Sequence, residues 1–209
     1  MAVYHDAKCR ICRRAGEKLF LKGERCYSAK CAVSRRAYPP GQKGKTGFMR
    51  LTEYGAELKE KQKIRRAYGI LERQFVKYLD EAITQKGNTA EILLGILENR
   101  LDNVIYRAGI ASSRAEARML VSHNHFMVNG KSVNIPSYRV KQGNIISIKE
   151  SHKKKNYFKN VSESFKKFQA PSWLSADKEK FAIKVTASPV LKEIGSVSDI
   201  RSVIEYYSR

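Results

Sequence analysis

The sequence predicts an α+β fold in three parts: a cysteine-stapled N-terminal module, a helical domain, and a small domain of helices followed by a sheet. Three observations carry this. All four cysteines fall within the stretch "CRICRRAGEKLFLKGERCYSAKC", from Cys9 to Cys31. Apolar residues from Ile64 to Ile83 recur at steps of three and four, the spacing of one helix face. Beyond Ile92 the pattern passes from helical to strictly alternating, the mark of an α+β unit.

The module comes first. Its spacing is Cys9-x2-Cys12-x13-Cys26-x4-Cys31, two close pairs separated by a loop, which suits a tetrathiolate metal site. Zinc is the first choice because thiolates suit a borderline-soft ion and zinc needs no redox partner. A [4Fe–4S] cluster, two disulfides and four unligated thiols are the alternatives. Four thiolates would fill the coordination sphere, so the site reads as structural. The segment up to Gly47 has few apolar residues, and metal binding would supply folding energy that a small core does not. Residues 1–50 hold 13 Lys and Arg against 3 Asp and Glu.

That imbalance extends to the whole chain. Its 209 residues include 41 Lys and Arg against 20 Asp and Glu, a net charge of +21. An excess of this size makes a polyanion the expected partner. No apolar run approaches the ~18 residues that would span a bilayer, so nucleic acid is expected rather than membrane. The start, "MAVYHDAKCR", has neither a secretory nor a transit pattern, so a cytoplasmic location is expected.

The helical domain follows over 51–97. Its apolar stripe is Ile64, Tyr68, Leu71, Phe75, Leu79 and Ile83, with Gly69 as an interruption. The opposite face mixes both charge signs and reads as scaffold. "KGNT" closes this stretch. Asn88 with Glu91 predicts a capped helix start, and Ile92 to Gly109 reads as helical, in two pieces around Gly95.

The next unit spans 98–160. Ser113 and Glu116 form a capping box that opens a helix through about Val121. "FMVNGKSVNI" predicts a hairpin turning at Asn129-Gly130, and "YRVKQGNIISIKE" adds strand residues around a Gly143-Asn144 turn. Arg100 and Arg107 are seven apart, while Arg114 and Arg118 are four apart on the following helix. A guanidinium fork fits phosphate oxygens, so these arginines are candidate nucleic-acid contacts. A solvated face, or pairing with Asp102 and Glu116, is the plainer alternative. Residues 161–184 read as a basic extension with short strands near Trp173 and from Phe181 to Val185, and "SDIRSVIEYYSR" as a short helix.

Arg100-Leu101-Asp102, Ser113-Arg114-Ala115-Glu116-Ala117 and Val128-Asn129-Gly130 together resemble a small RNA-binding module carried by several RNA-binding families. "LTEYGAELKEKQKIRRAYGILERQF", "GNTAEILLGILENRLDNV", "PPGQ" and "PSWL" extend the likeness over nearly the whole chain. On these motifs the chain resembles the bacterial small-subunit ribosomal S-four family, in its zinc-bearing four-cysteine branch. The resemblance implies an RNA-binding module inserted into the helical domain, which residues 185–209 would complete. It implies direct binding to small-subunit rRNA, nucleation of subunit assembly and an influence on decoding accuracy through ribosomal protein S-five. It also implies a single copy in the ribosome rather than a homo-oligomer. Candidate rRNA contacts are Arg10, Arg13, Arg14, Arg100, Arg107, Ser113, Arg114, Arg118, His123 and Lys131. Lys43, Lys45 and Arg50 match the family's basic residues along the path by which mRNA enters.

Two other classes would need features that the sequence does not supply. An RNA-modifying enzyme would need a catalytic domain, and only about fifty residues remain for one, a third of an ordinary domain. His5, His123, His125 and His152 form no acid–base set in the sequence. A zinc-dependent DNA regulator would need an exposed reading helix, where this chain offers broad basic surfaces.

Overall fold

The computed structural model describes residues 7–47, 51–177, 181–189 and 200–208. The chain forms two compact units, Met1–Ala90 joined by Gly195–Arg209, and Glu91–Ile194. The first is therefore built from two stretches of sequence separated by the second.

In the first unit, α1 (Lys8–Ala15), α2 (Glu24–Tyr27) and α3 (Ala32–Arg35) are short, and a 3-10 turn covers Gln42–Gly44. Ile11, Cys12, Ala15 and Leu19 close a small core, with Leu21 and Val33 at its edge. The α1 helix lies against α3 and α4 (Glu53–Ala67). Thr52 caps α4 by accepting the Gly55 N–H at 3.2 Å.

The stripe expected from Ile64 to Ile83 divides between α4 and α5 (Glu72–Thr84). Gly69 adopts φ +65°, where the chain leaves the helix at little steric cost, and the Ile70 N–H returns to the Arg65 carbonyl. This break resets the helical phase. Ile64, Tyr68, Phe75 and Leu79 are buried, but Leu71 and Ile83 face solvent, and Tyr78 and Ala82 take the inner positions. A last helix, α11 (Ile200–Ser208), packs along α4 through buried Val203.

The second unit contains α6 (Thr89–Glu98), α7 (Leu101–Arg107) and α8 (Arg114–Ser122), then β1 (Phe126–Val128), β2 (Lys131–Val133) and β3 (Ile145–Ile148). After α9 (Glu150–Lys153) and α10 (Asn156–Lys167) come β4 (Leu174–Asp177) and β5 (Ala182–Val185). The sheet is antiparallel throughout, in the order β2-β1-β3-β5-β4. Phe126 sits opposite Val133 and Ile148, and Ile146 opposite Ile183. These inward residues join Leu101, Ile105, Val121, Phe158, Phe165 and Trp173 in one core. The hairpin turns at Asn129-Gly130, both at positive φ, as a tight two-residue turn requires.

Two sequence expectations change here. The helix break falls at Asn99-Arg100 and not at Gly95, which lies inside α6. Arg100 bridges to Arg139, while the Leu101 N–H meets the Tyr138 carbonyl and the Val140 N–H meets the Asn99 carbonyl, both at 2.8 Å. Pairing with a distant segment thus overrides local helix propensity. Residues 161–184 are also not a separate extension. Through β5 and β4 they complete the sheet, so this unit runs from Glu91 to Ile194 instead of over 98–160.

Candidate nucleic-acid interface

In the first unit, the loop "YPPGQKGKTG" folds beside α1 and α4 and leaves a cleft of about 1230 Å³. Arg14, Lys43, Lys45, Lys59, Lys63 and Arg66 line it, and no carboxylate stands among its described lining residues. Lys63 is half spoken for, with Glu60 at 2.7 Å and Glu17 at 3.3 Å.

The loop has its own clamp. Arg13 donates from Nε to the Tyr38 carbonyl at 3.0 Å and from a terminal nitrogen to the Pro39 carbonyl at 3.2 Å. Its guanidinium also lies 4.8 Å from the Tyr38 ring centroid, and Lys45 Nζ lies 5.5 Å from it. Gly44 closes the turn against Pro39 so tightly that a β-carbon would lie 2.1 Å from the Pro39 carbonyl oxygen. Lys43 and Lys45 therefore stand on a fixed loop, Arg14 shares their cleft, and Arg10 is exposed on α1. Arg50 lies outside the described residues.

The four cysteines are free thiols that line one small pocket together with Lys8, Lys22 and Arg25. No group of three or more His, Cys, Asp or Glu stands at metal-holding spacing among the described residues. The Lys22 N–H donates to Cys26 Sγ at 3.4 Å. Burial pushes the Cys12 thiol up, and the proximity of Cys26, Cys9 and Cys31 adds to this. Burial works the same way on Cys31, but the Ser34 and Val33 amides and Lys18 outweigh it and hold that thiol down. Four soft donors facing one pocket with cations around it fit a thiolate-bound metal by donor chemistry.

In the second unit the predicted arginines are mostly turned to structural work. Arg100 is 2% exposed and holds Asp102 with two bonds, at 3.0 and 2.7 Å, so it is not a phosphate contact. Glu98, fully buried, is a hub. It accepts from Arg107 at 3.0 and 2.8 Å and from Asn103 Nδ2 at 2.7 Å. Arg114 donates to Asn103 Oδ1 at 2.8 Å and lies over the Tyr106 ring at 4.6 Å. Arg107 and Arg114 therefore brace α7 and α8 with most of their guanidinium surface covered. Ser113 caps α8 through the Glu116 N–H, while the Glu116 carboxylate turns to Ser112 instead of completing the expected box. Arg118 is half-buried on α8, and His123 and Lys131 are exposed.

The sequence did not reveal the partnership of His125 with His152. Their Nδ1 atoms are 2.8 Å apart and the rings meet edge-on at 4.5 Å. Burial lowers His125 to a pKa of about 4, helped by Lys155, His152, His123 and Lys149. Asn124, at φ +62°, turns the chain between His123 and His125. Twenty-seven residues separate His125 from His152, so no local spacing could have paired them.

Residues 3–98 match the model of the ribosomal protein S4/S9 N-terminal domain, and residues 99–146 that of the S4 domain. The second match covers α7, α8, β1, β2 and the start of β3. Small ribosomal subunit protein uS4 of Halothermothrix orenii is 51% identical over 209 residues, all of both chains. That of Caldicellulosiruptor bescii is also 51% identical, and protein uS4A of Alkaliphilus metalliredigens 52%, again end to end. With its helical and S4 regions in family order and half its residues shared along its full length, the chain belongs to the small ribosomal subunit protein uS4 family.

Proposed function

We propose that the chain is a structural constituent of the small ribosomal subunit that binds small-subunit rRNA directly and works in the cytoplasmic ribosome. It is not an enzyme. The observation that carries the reading is the cleft of Arg14, Lys43, Lys45, Lys59, Lys63 and Arg66, with no carboxylate among its described lining residues, the electrostatic form of a phosphate track. With rRNA on these cations, the chain would help nucleate the subunit body. A gel-shift comparison of a small-subunit rRNA fragment with duplex DNA of equal length tests this. Preference for the rRNA is expected, and equal affinity would favour the DNA-regulator reading.

Cys9, Cys12, Cys26 and Cys31 would hold one structural zinc, which when bound supplies a cross-link between α1, α2 and the Cys31 turn. Lys43 and Lys45 are proposed to touch mRNA as well, since they stand on the exposed loop. Contact with ribosomal protein S-five, and with it decoding accuracy, is assigned to the α11 region. Glu205, exposed on α11, is the probe. Glu205→Lys should alter misreading in reconstituted subunits at normal rRNA affinity. Unaltered misreading across exposed charge reversals on α11 would leave that helix a structural role only.

A further inference from the structure

Outside the cleft, the thiol module carries an aromatic pair that neither core nor cleft uses. The Phe20 and Tyr27 rings lie 5.0 Å apart, tilted by 30°, and Tyr27 is 70% exposed. An exposed tyrosine alone is unremarkable. Here a second observation accompanies it: Phe20 adopts φ +51°, a left-handed conformation that a bulky side chain rarely takes. Backbone held in such a state concentrates at working surfaces, where the surrounding fold imposes it. That backbone and the phenyl ring beside Tyr27 belong to the same residue. A third observation is charge. Along the chain, exposed Lys18 and Lys22 stand two positions to either side of Phe20, and exposed Arg25 and Lys30 lie on either side of Tyr27, against one exposed carboxylate, Glu24.

An aromatic face framed by cations is what an unpaired nucleotide needs, with the base stacking on the ring and the phosphates meeting the charges. A membrane surface would call for a broader apolar face, and a protein partner for a closed apolar patch. We infer that Phe20 and Tyr27 form a stacking platform for an unpaired nucleotide of single-stranded RNA. The inference rests on the rRNA-binding reading but names a ligand state and a surface that the reading does not.

The test uses the full-length chain and a short single-stranded RNA carrying a central 2-aminopurine, with the same strand annealed to its complement as control. Binding of the single strand should quench the fluorescent base. Tyr27→Leu should weaken single-strand binding about tenfold and relieve the quench. Its salt dependence and duplex affinity should stay unchanged, because no charge is lost. Tyr27→Trp should restore binding, and circular dichroism should show both variants folded. Phe20→Leu, which keeps an apolar side chain at the strained position, should weaken the single strand in the same way. Equal affinity and quench in Tyr27→Leu and the parent chain, or no binding of the single strand by the parent, overturns the inference. The rRNA reading has its own readout, the rRNA fragment with cleft-lysine variants. No quench in the parent chain with that binding intact means that only the platform is wrong.

Discussion

The Tyr207 hydroxyl donates a 2.6 Å hydrogen bond to Oε1 of Glu72, joining residues 135 positions apart. The same oxygen accepts from Lys61 at 2.8 Å, and the Lys61 ammonium sits 4.4 Å from the Tyr206 ring centroid and 5.2 Å from that of Tyr207. Burial pushes the Tyr207 phenol up, and its bond to Glu72 pushes it further. Burial also opposes ionisation of Glu72, but Lys61, Tyr207 and Arg65 prevail and hold its carboxyl down. An ion, a carboxylate and two rings thus fasten α11 to α4 and α5.

Tyr207→Phe should therefore cost about 1.5–3 kcal/mol of stability, since one hydrogen bond to a charged acceptor is lost while the ring remains. Chemical denaturation measures the loss, and limited proteolysis should find α11 cut sooner. Unchanged stability would mean that the ring alone holds the helix.

Arg100→Ala should cost about 3–5 kcal/mol, because it strands buried Asp102 without its cation. The salt dependence of rRNA binding by the surviving folded protein should be unaffected. A shallower salt slope with little change in stability would instead make Arg100 a phosphate contact.

Lys43→Ala, Lys45→Ala and Lys59→Ala should each lower the salt slope of rRNA binding by roughly 0.7–0.9 without shifting the melting temperature. Lys63→Ala should act more on stability, because Glu17 and Glu60 already hold it. Unaltered slopes in the first three would remove RNA from the cleft.

The His125–His152 pair predicts a pH dependence. A histidine whose pKa falls from 6.5 to about 4 on folding binds its proton more readily in the unfolded chain. Its contribution is complete above pH 6.5 and is lost as the pH falls toward 4. Melting curves across that window should drop more steeply for the parent than for His125→Gln. Parallel curves would show that the pair carries no linked proton.

Elemental analysis should find one zinc per chain. Cys9→Ser should expose the α1–α3 region to protease while α4, α5 and α11 stay folded. Iron in place of zinc, or no metal in a folded sample, would overturn the metal assignment.

What could be read from sequence follows the range of the interactions. Asn129-Gly130, Gly69 and the Ser113 cap are local devices, set by a few neighbouring residues, and each stands where its pattern places it. The cysteines were legible as a cluster because their spacing is itself the signal. An arginine's partner is illegible where it is distant or buried. Arg13 clamps a loop 25 positions away, and Arg107 reaches back to a Glu98 whose burial no hydropathy pattern announces. A row of arginines at helical spacing looks the same whether it meets phosphate or a buried carboxylate.

The split first unit also bears on the order of events during synthesis. Residues 91–194 leave the ribosome before 195–209, so the sheet, with its own core, can close while α4 still lacks α11. Until then Lys61 has Glu72 but neither tyrosine ring, and the apolar surface that will cover Val203 stays wet. Completing the unit means closing a loop of about a hundred residues, and the entropic cost of that closure grows only logarithmically with length. Inserting a whole unit into the first therefore costs its closure little more than a loop a fraction of that length would.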